Sequence, residues 1–409
     1  MDALDSFDAT RVVRLDNSIL EYDWGSHTAL PELLGRPSPA PRPQAELWMG
    51  AHSKAPSQLE LSGGKLPLDA LIEAKPAEVL GERVLEAFGP RLPFLFKVLA
   101  VEQALSVQAH PDAEQAREGF AREEKLGIGR GARERCFPDS SHKPEILCAL
   151  SEFHALCGFR PVPEIQRRLA ALDVVGLREM RRAFEAPDEK RALRQGLEAW
   201  LGIPETQRTR LLEEVLAAAR RLAAEDPVLA WLPRLHEQHP DDLGMLAPIF
   251  LNLVTLAPGE AVFLPARELH CYLEGVGVEL MANSDNVLRG GLTSKHVAQS
   301  ELLSILRFAS SRVEVLKPRA LAGGLEAYPT PAAEFELSRL DVGPGATLGV
   351  DGDGGVEILI CTAGAVGVRA AAATAPLSLA AGQSCLVPAG VGECRFSGSG
   401  TLYRASVPN

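Results

Sequence analysis

The sequence predicts a mainly β protein with an α-helical insertion, made of two jelly-roll β domains plus a helical domain. Two observations lead there. The first is a change of texture along the chain: strand-like runs give way to Ala-, Leu-, Arg- and Glu-rich segments, and strand texture then returns. The second is an internal echo. "LAPGEAVFLPA" (256–266) and "LAAGQSCLVPA" (379–389) align without gaps, each reading as strand, Gly-containing turn and strand ending in proline.

In chain order, residues 1 to about 155 mix short strand-like runs ("NSILEYDWG", "AELWMGAH", "PFLFKVLA", "LSVQAH") with Pro/Gly punctuation. "RPSPAPRPQ" (36–44) is a loop, because proline at that density removes backbone donors and excludes a helix. From about 162 to 240, apolar residues recur at three- and four-residue spacing in "EIQRRLAALDVVGLREMRRAFEA", "EKRALRQGLEAWLG" and "LLEEVLAAARRLAAED", the pattern of amphipathic helices. Strands resume at 248–286, "SKHVAQSELLSILRFA" (294–309) reads as one more helix, and the Gly- and Ala-rich chain beyond about 325 reads as a further β unit. The expected domains are a discontinuous central one (1–155 with 245–322), an inserted helical one (156–244) and a C-terminal β domain (323–409).

Composition narrows the function classes. A formal net charge of -12 and a pI near 5.4 argue against general binding to nucleic acid or a membrane surface, and leave room for a local basic site. No apolar run approaches the ~20 residues needed to span a bilayer. The acidic start "MDALDSFDATRVVRLD" lacks the regions of a signal peptide, so a cytoplasmic location is expected. Seven cysteines with no C-x-x-C pair argue against a disulfide framework and, more so, against a cysteine-rich zinc site.

The chemistry concentrates in "LSVQAH" (105–110). In a strand, Leu105, Val107 and Ala109 share one face, and Ser106, Gln108 and His110 the other. A polar face inside a barrel suits a metal, because inward positions from several strands converge there. Gln108 and His110, with Glu145 in "HKPEILCAL" and His270 in "LPARELHCYLEG", form a candidate ligand set of imidazole and oxygen donors. Each histidine alone equally suits a hydrogen-bonded structural role, and Glu145 a surface ion pair. The loop "NSDNVLRGGLTSK" (283–295) places Arg289 before two glycines and Lys295 six residues on; it fits a grip on phosphate or an enediolate, or an ordinary charged surface loop. The second copy of the echo has Glu393 where the first reaches His270, and no histidine follows His296, so the C-terminal unit is read as structural.

Taken together, "YDWGS" (22–26), "AELWMGAHSKAPS" (45–57), "LPFLFKVLA" (92–100), "LSVQAHPD" (105–112), "HKPEILCAL" (142–150) and "FLPARELHCYLEGVGVELMANSDNVLRGGLTSK" (263–295) resemble the type I mannose-6-phosphate isomerases, a zinc-dependent family of the cupin superfamily. The resemblance spans most of residues 20 to 300 and fades in the helical insertion and beyond about 310. It implies a catalytic cupin barrel, one Zn2+ per chain on Gln108, His110, Glu145 and His270, and interconversion of mannose 6-phosphate and fructose 6-phosphate through an enediol. It further implies Arg289 as the active-site arginine. Proton transfer would fall to a base in the His142/Lys143 pair or to Glu279, and Lys97, Ser106, Lys295, Tyr272 and Trp24 would contact sugar or phosphate. A monomer would suffice, and the partner is a small sugar phosphate. The alternatives are a cupin of another reaction class, such as an iron dioxygenase, and a non-catalytic sugar- or metal-binding protein of the same fold.

Overall fold

A computed structural model describes residues 3–409. Among these residues the strands fall into one sheet of ten and one of eleven, with a helical block between Val162 and Gln238. The helices Val162–Leu172, Glu189–Leu201 and Glu205–Leu222 bury their apolar stripes, as the three- and four-residue spacing predicts. Their core centres on Trp200, fully buried, whose ring stacks 4.8 Å from Phe250 and whose Nε1 donates to the Leu243 carbonyl at 2.8 Å.

The internal echo is a duplication of strand pairing. In the ten-stranded sheet, Leu251–Leu256 pairs with Phe153–Phe159 and Ala261–Leu264 with Glu145–Ala149, and the long strand His270–Ala282 lies against both partners. In the eleven-stranded sheet, Leu377–Ala380 and Ser384–Val387 pair with the two halves of one strand, Glu357–Ala370, and Cys394–Ser406 lies against it. Each echo turns through a glycine with φ near +80°, Gly259 at 85° and Gly382 at 80°, a conformation costly for any residue with a Cβ. The registers also correspond: Leu264 faces Glu145 as Val387 faces Glu357, and "EIL" opens both strands.

The structure departs from the sequence reading in three places. Strand Val13–Asp16 lies within the stretch expected to form the central domain, yet it pairs with Ser384–Val387 and extends the C-terminal sheet. The two sheets accordingly share a core in which Leu15, Phe96 and Ile146 meet Tyr328, Ile358 and Tyr403. The helix expected over 294–309 runs only over Gln299–Ile305, because the Thr293 hydroxyl takes the Lys295 N–H at 3.1 Å and turns the chain before a helix begins. The third is helix Ala113–Lys125, for which "PDAEQ" carries the signal: Asp112 and Gln115 close a capping box.

Candidate active site

Strand register builds the site as two transverse rows. Gln108, in strand Val107–Ala109, lies directly across from His270 on one side and Arg289 on the other. Directly opposed residues in antiparallel strands share a face, so these three side chains form one row. Lys97 likewise lies between Glu279 and Trp48 and forms the second. All of these but His270 line a cavity of about 590 Å³ that also takes in Trp24, Glu46, Ser106, Lys143, Glu145 and Tyr272. Val107 and Ala109 point the other way into the core, fully buried, as strand alternation predicts.

At the cavity floor His110, Glu145 and His270 converge. Their facing ligand atoms lie within 4.8 Å of one another, and all three residues are about 1% exposed. Glu145 Oε1 is 3.5 Å from His110 Nε2, and Glu145 Oε2 is 3.5 Å from His270 Nε2. Gln108 lies beside the group, its amide nitrogen 3.4 Å from His270 Nε2. Each imidazole is aimed by its other nitrogen: His110 Nδ1 lies 2.6 Å from the Asn286 carbonyl, and His270 Nδ1 lies 3.0 Å from that of Glu268. Backbone acceptors there hold the proton on Nδ1 and leave Nε2 as a lone-pair donor. His110 Nε2 and Glu145 Oε2 are buried without any hydrogen-bond partner. Leaving such atoms unsatisfied costs about 1–3 kcal/mol each, so this donor set suits a divalent cation.

Electrostatics agree with that arrangement. Burial, helped by the Lys143 ammonium, pushes His110 down to about 4, so its imidazole is neutral and free to ligate. Burial works against charge on Glu145, but Lys143, 2.6 Å away, and the two imidazoles outweigh it and hold the carboxyl well below its usual range. Glu279 is raised, first by burial and then by the neighbouring Glu145 charge, with Lys97 opposing at 3.1 Å. Burial also lifts the Tyr272 phenol, whose hydroxyl has no partner.

Most of the expected site residues meet in the cavity. His142 does not. It opens onto a separate cavity of about 320 Å³, where its Nε2 pairs with Glu334 at 2.5 Å. Lys143 and Glu145 face the site at alternate positions, and His142 between them and the loop points to the opposite side. Lys97, expected to meet phosphate, is held instead by two carboxylates, Glu279 at 3.1 Å and Glu46 at 3.4 Å. Burial disfavours its charge, but those carboxylates more than offset it and keep the ammonium above its ordinary value. A phosphate there would meet both acids. Ser106 donates to Gln108 Oε1 at 3.1 Å and so orients that amide. Trp24 stacks on Tyr22 at the rim, with ring centroids 5.8 Å apart.

Glu46 and the His52–Asp285–Lys54 cluster went unrecognised in the sequence. Glu46 carried a signal: it is a carboxylate inside the apolar strand "AELWMGA", where a buried charge demands a partner. Burial opposes charge on Asp285, but His52 and Lys54 hold it below its usual range; nothing local in the sequence joins residues so far apart. At the far end of the cavity, among the described residues, no carboxylate pairs with Arg289 or Lys295. Burial lowers both, and Lys295 is lowered further by the positive charges of Arg289 and Lys54.

Comparison with known proteins agrees with this geometry. Residues 12–162 match the family model "Phosphomannose isomerase type I, catalytic domain". The chain is 38% identical over 396 residues to the mannose-6-phosphate isomerase of Salmonella typhimurium, covering 96% of this chain and 98% of that one. It is 34% identical over 423 residues to mannose-6-phosphate isomerase 1 of Arabidopsis thaliana, covering 98% and 95%. The crystal structure of the Salmonella typhimurium enzyme with substrate (f6p) and zinc superposes with a TM-score of 0.88 at 35% identity, covering 97% of this chain and all of that one. A fold and a sequence shared along nearly the whole length leave one assignment: the chain belongs to the type I mannose-6-phosphate isomerase family.

Proposed function

We propose that this chain interconverts mannose 6-phosphate and fructose 6-phosphate by moving a proton between C1 and C2 through an enediol, with one zinc ion on Gln108, His110, Glu145 and His270. The observation that carries this reading is the pair of buried, unpartnered ligand atoms, His110 Nε2 and Glu145 Oε2, at the floor of a cavity whose other end holds two unpaired cations. A relative with zinc and f6p bound supports it. When bound, zinc supplies Lewis-acid polarisation of the sugar oxygens.

The chain's own groups supply the rest. Glu279 carries the proton, since burial raises its carboxyl toward the range useful at neutral pH. Lys143 holds its ammonium on Glu145 and donates to the developing oxyanion. Arg289 and Lys295 hold the phosphate end; an arginine fork suits that task and stays protonated, so it is no base. Tyr272 offers its unpartnered hydroxyl to the sugar, and Trp24 closes the rim. The fold is two cupin barrels with a helical insertion, the C-terminal one borrowing strand Val13–Asp16, and the duplicated pairing supports that description. Because one chain lines the whole cavity, a monomer suffices. The enzyme would serve mannose metabolism in the cytoplasm; no helix among the described residues is long and apolar enough to cross a membrane.

The test is a coupled assay of mannose 6-phosphate turnover before and after chelation, then with zinc restored. Activity lost to chelator and recovered with zinc is expected. Absence of turnover in zinc-loaded protein would overturn the reading.

A further inference from the structure

We infer that Arg133 is a third cation for the substrate's phosphate, delivered to the cavity from a separate loop. This rests on the sugar-phosphate reading above. The loop between helix Ala113–Lys125 and strand Glu145–Ala149 is anchored at its base. The Glu123 carboxylate accepts the Cys136 and Phe137 N–H groups at 3.0 and 2.8 Å, and the buried Arg135 side chain pairs with Glu123 and Glu124, each at 2.8 Å. Beyond that base the loop stands free: a Cβ placed on Gly127, Gly129 or Gly131 would meet nothing within 4 Å.

Of the three loop arginines, Arg130 and Arg135 are each paired with Glu124. Arg133 is the exception. Among the described residues it has no carboxylate partner, and its guanidinium reaches the Ser294 carbonyl at 3.4 Å. Ser294 lines the cavity next to Lys295, at the end that also holds Arg289. One long bond to a carbonyl uses a single N–H and leaves the remaining donors free. Arg289 and Lys295 thus line this end of the cavity without carboxylates, and Arg133 bonds the residue next to Lys295 from outside it, in a chain that carries 54 acidic and 42 basic residues. In a protein so rich in carboxylates, this spacing of charge serves an incoming dianion rather than the fold. Arg133 has solvent on its outer side, so it captures and steers the phosphate while Arg289 and Lys295 hold it.

The experiment is Arg133→Gln and Arg133→Lys in the full zinc-loaded chain. For Arg133→Gln, KM for mannose 6-phosphate should rise about fivefold with kcat within about twofold, as suits one exposed charge pair. Its kcat/KM should also depend less on salt than the wild type's. Arg133→Lys should recover most of the loss. An unchanged KM and salt dependence in Arg133→Gln would overturn the inference, as would a fall in kcat at constant KM. Thermal shift with inorganic phosphate separates the two levels. Wild-type protein without sugar-phosphate turnover would sink the isomerase reading, while a phosphate-induced stabilisation that Arg133→Gln weakens would still uphold the role of Arg133.

Discussion

The Arg404 guanidinium sits 2.5 Å from the Glu357 carboxylate, both about 6% exposed, and the two residues occupy the register positions that Glu279 and Glu145 hold in the other sheet. Glu145 faces Met281 with Glu279 two residues earlier. In the second copy, Glu357 begins the equivalent strand and Arg404 faces Leu359, as Glu279 faces Leu147. One copy thus has two buried acids, held by Lys97 and Lys143, with two imidazoles gathered on Glu145, and the other has a single acid closed off by one arginine. This explains in physical terms why a duplicated sheet carries chemistry only once.

Arg404→Met should be strongly destabilising, because it leaves Glu357 buried without a partner. A loss of about 3–5 kcal/mol is expected, read as a lowered urea midpoint. Adding Glu357→Gln should restore part of it. If the single variant unfolded at the wild-type midpoint, the pair would have no structural role.

His110→Ala, His270→Ala and Glu145→Ala should each lose stoichiometric zinc on gel filtration followed by metal analysis, since each removes one of a small donor set. Arg289→Ala should keep its zinc and lose turnover. Full kcat in Arg289→Ala would remove that residue from the reaction.

Glu279→Gln should retain zinc and lower kcat by about 10²–10⁴-fold, the usual range for a general base. Exchange of the substrate's C2 hydrogen with solvent should fall in step. Continued exchange at the wild-type rate would transfer the proton-carrying role to Lys143.

The alkaline limb of kcat/KM should reflect Lys295. Partial burial and the nearby Arg289 lower its pKa, so the ammonium that meets phosphate is present below that lowered value and is lost as pH rises through it. The limb should therefore fall below the ordinary lysine value of 10.5. Lys295→Arg should move it to higher pH. A limb unmoved by that change would belong to another group.

Much of this was legible in one dimension because the controlling interactions are local. The alternation of "LSVQAH" put Gln108 and His110 on one face, and the 3.6-residue period marked helices such as Glu189–Leu201. The duplicated turn at Gly259 and Gly382 showed through two copies of one short pattern. The side to which His142 points was not legible, because it depends on how a loop enters strand Glu145–Ala149. The captive state of Lys97 was likewise hidden, since Glu46 and Glu279 reach it from two other strands.

By itself, then, the sequence determined the β-rich texture with its helical block, the donor types for a metal and the arginine loop, since period, turn chemistry and residue type are properties of short segments. Only the tertiary structure decided which charges are already spent on one another and which remain free. That depends on register between strands distant in the chain, where a few ångströms separate a captive ammonium from one that can meet a phosphate.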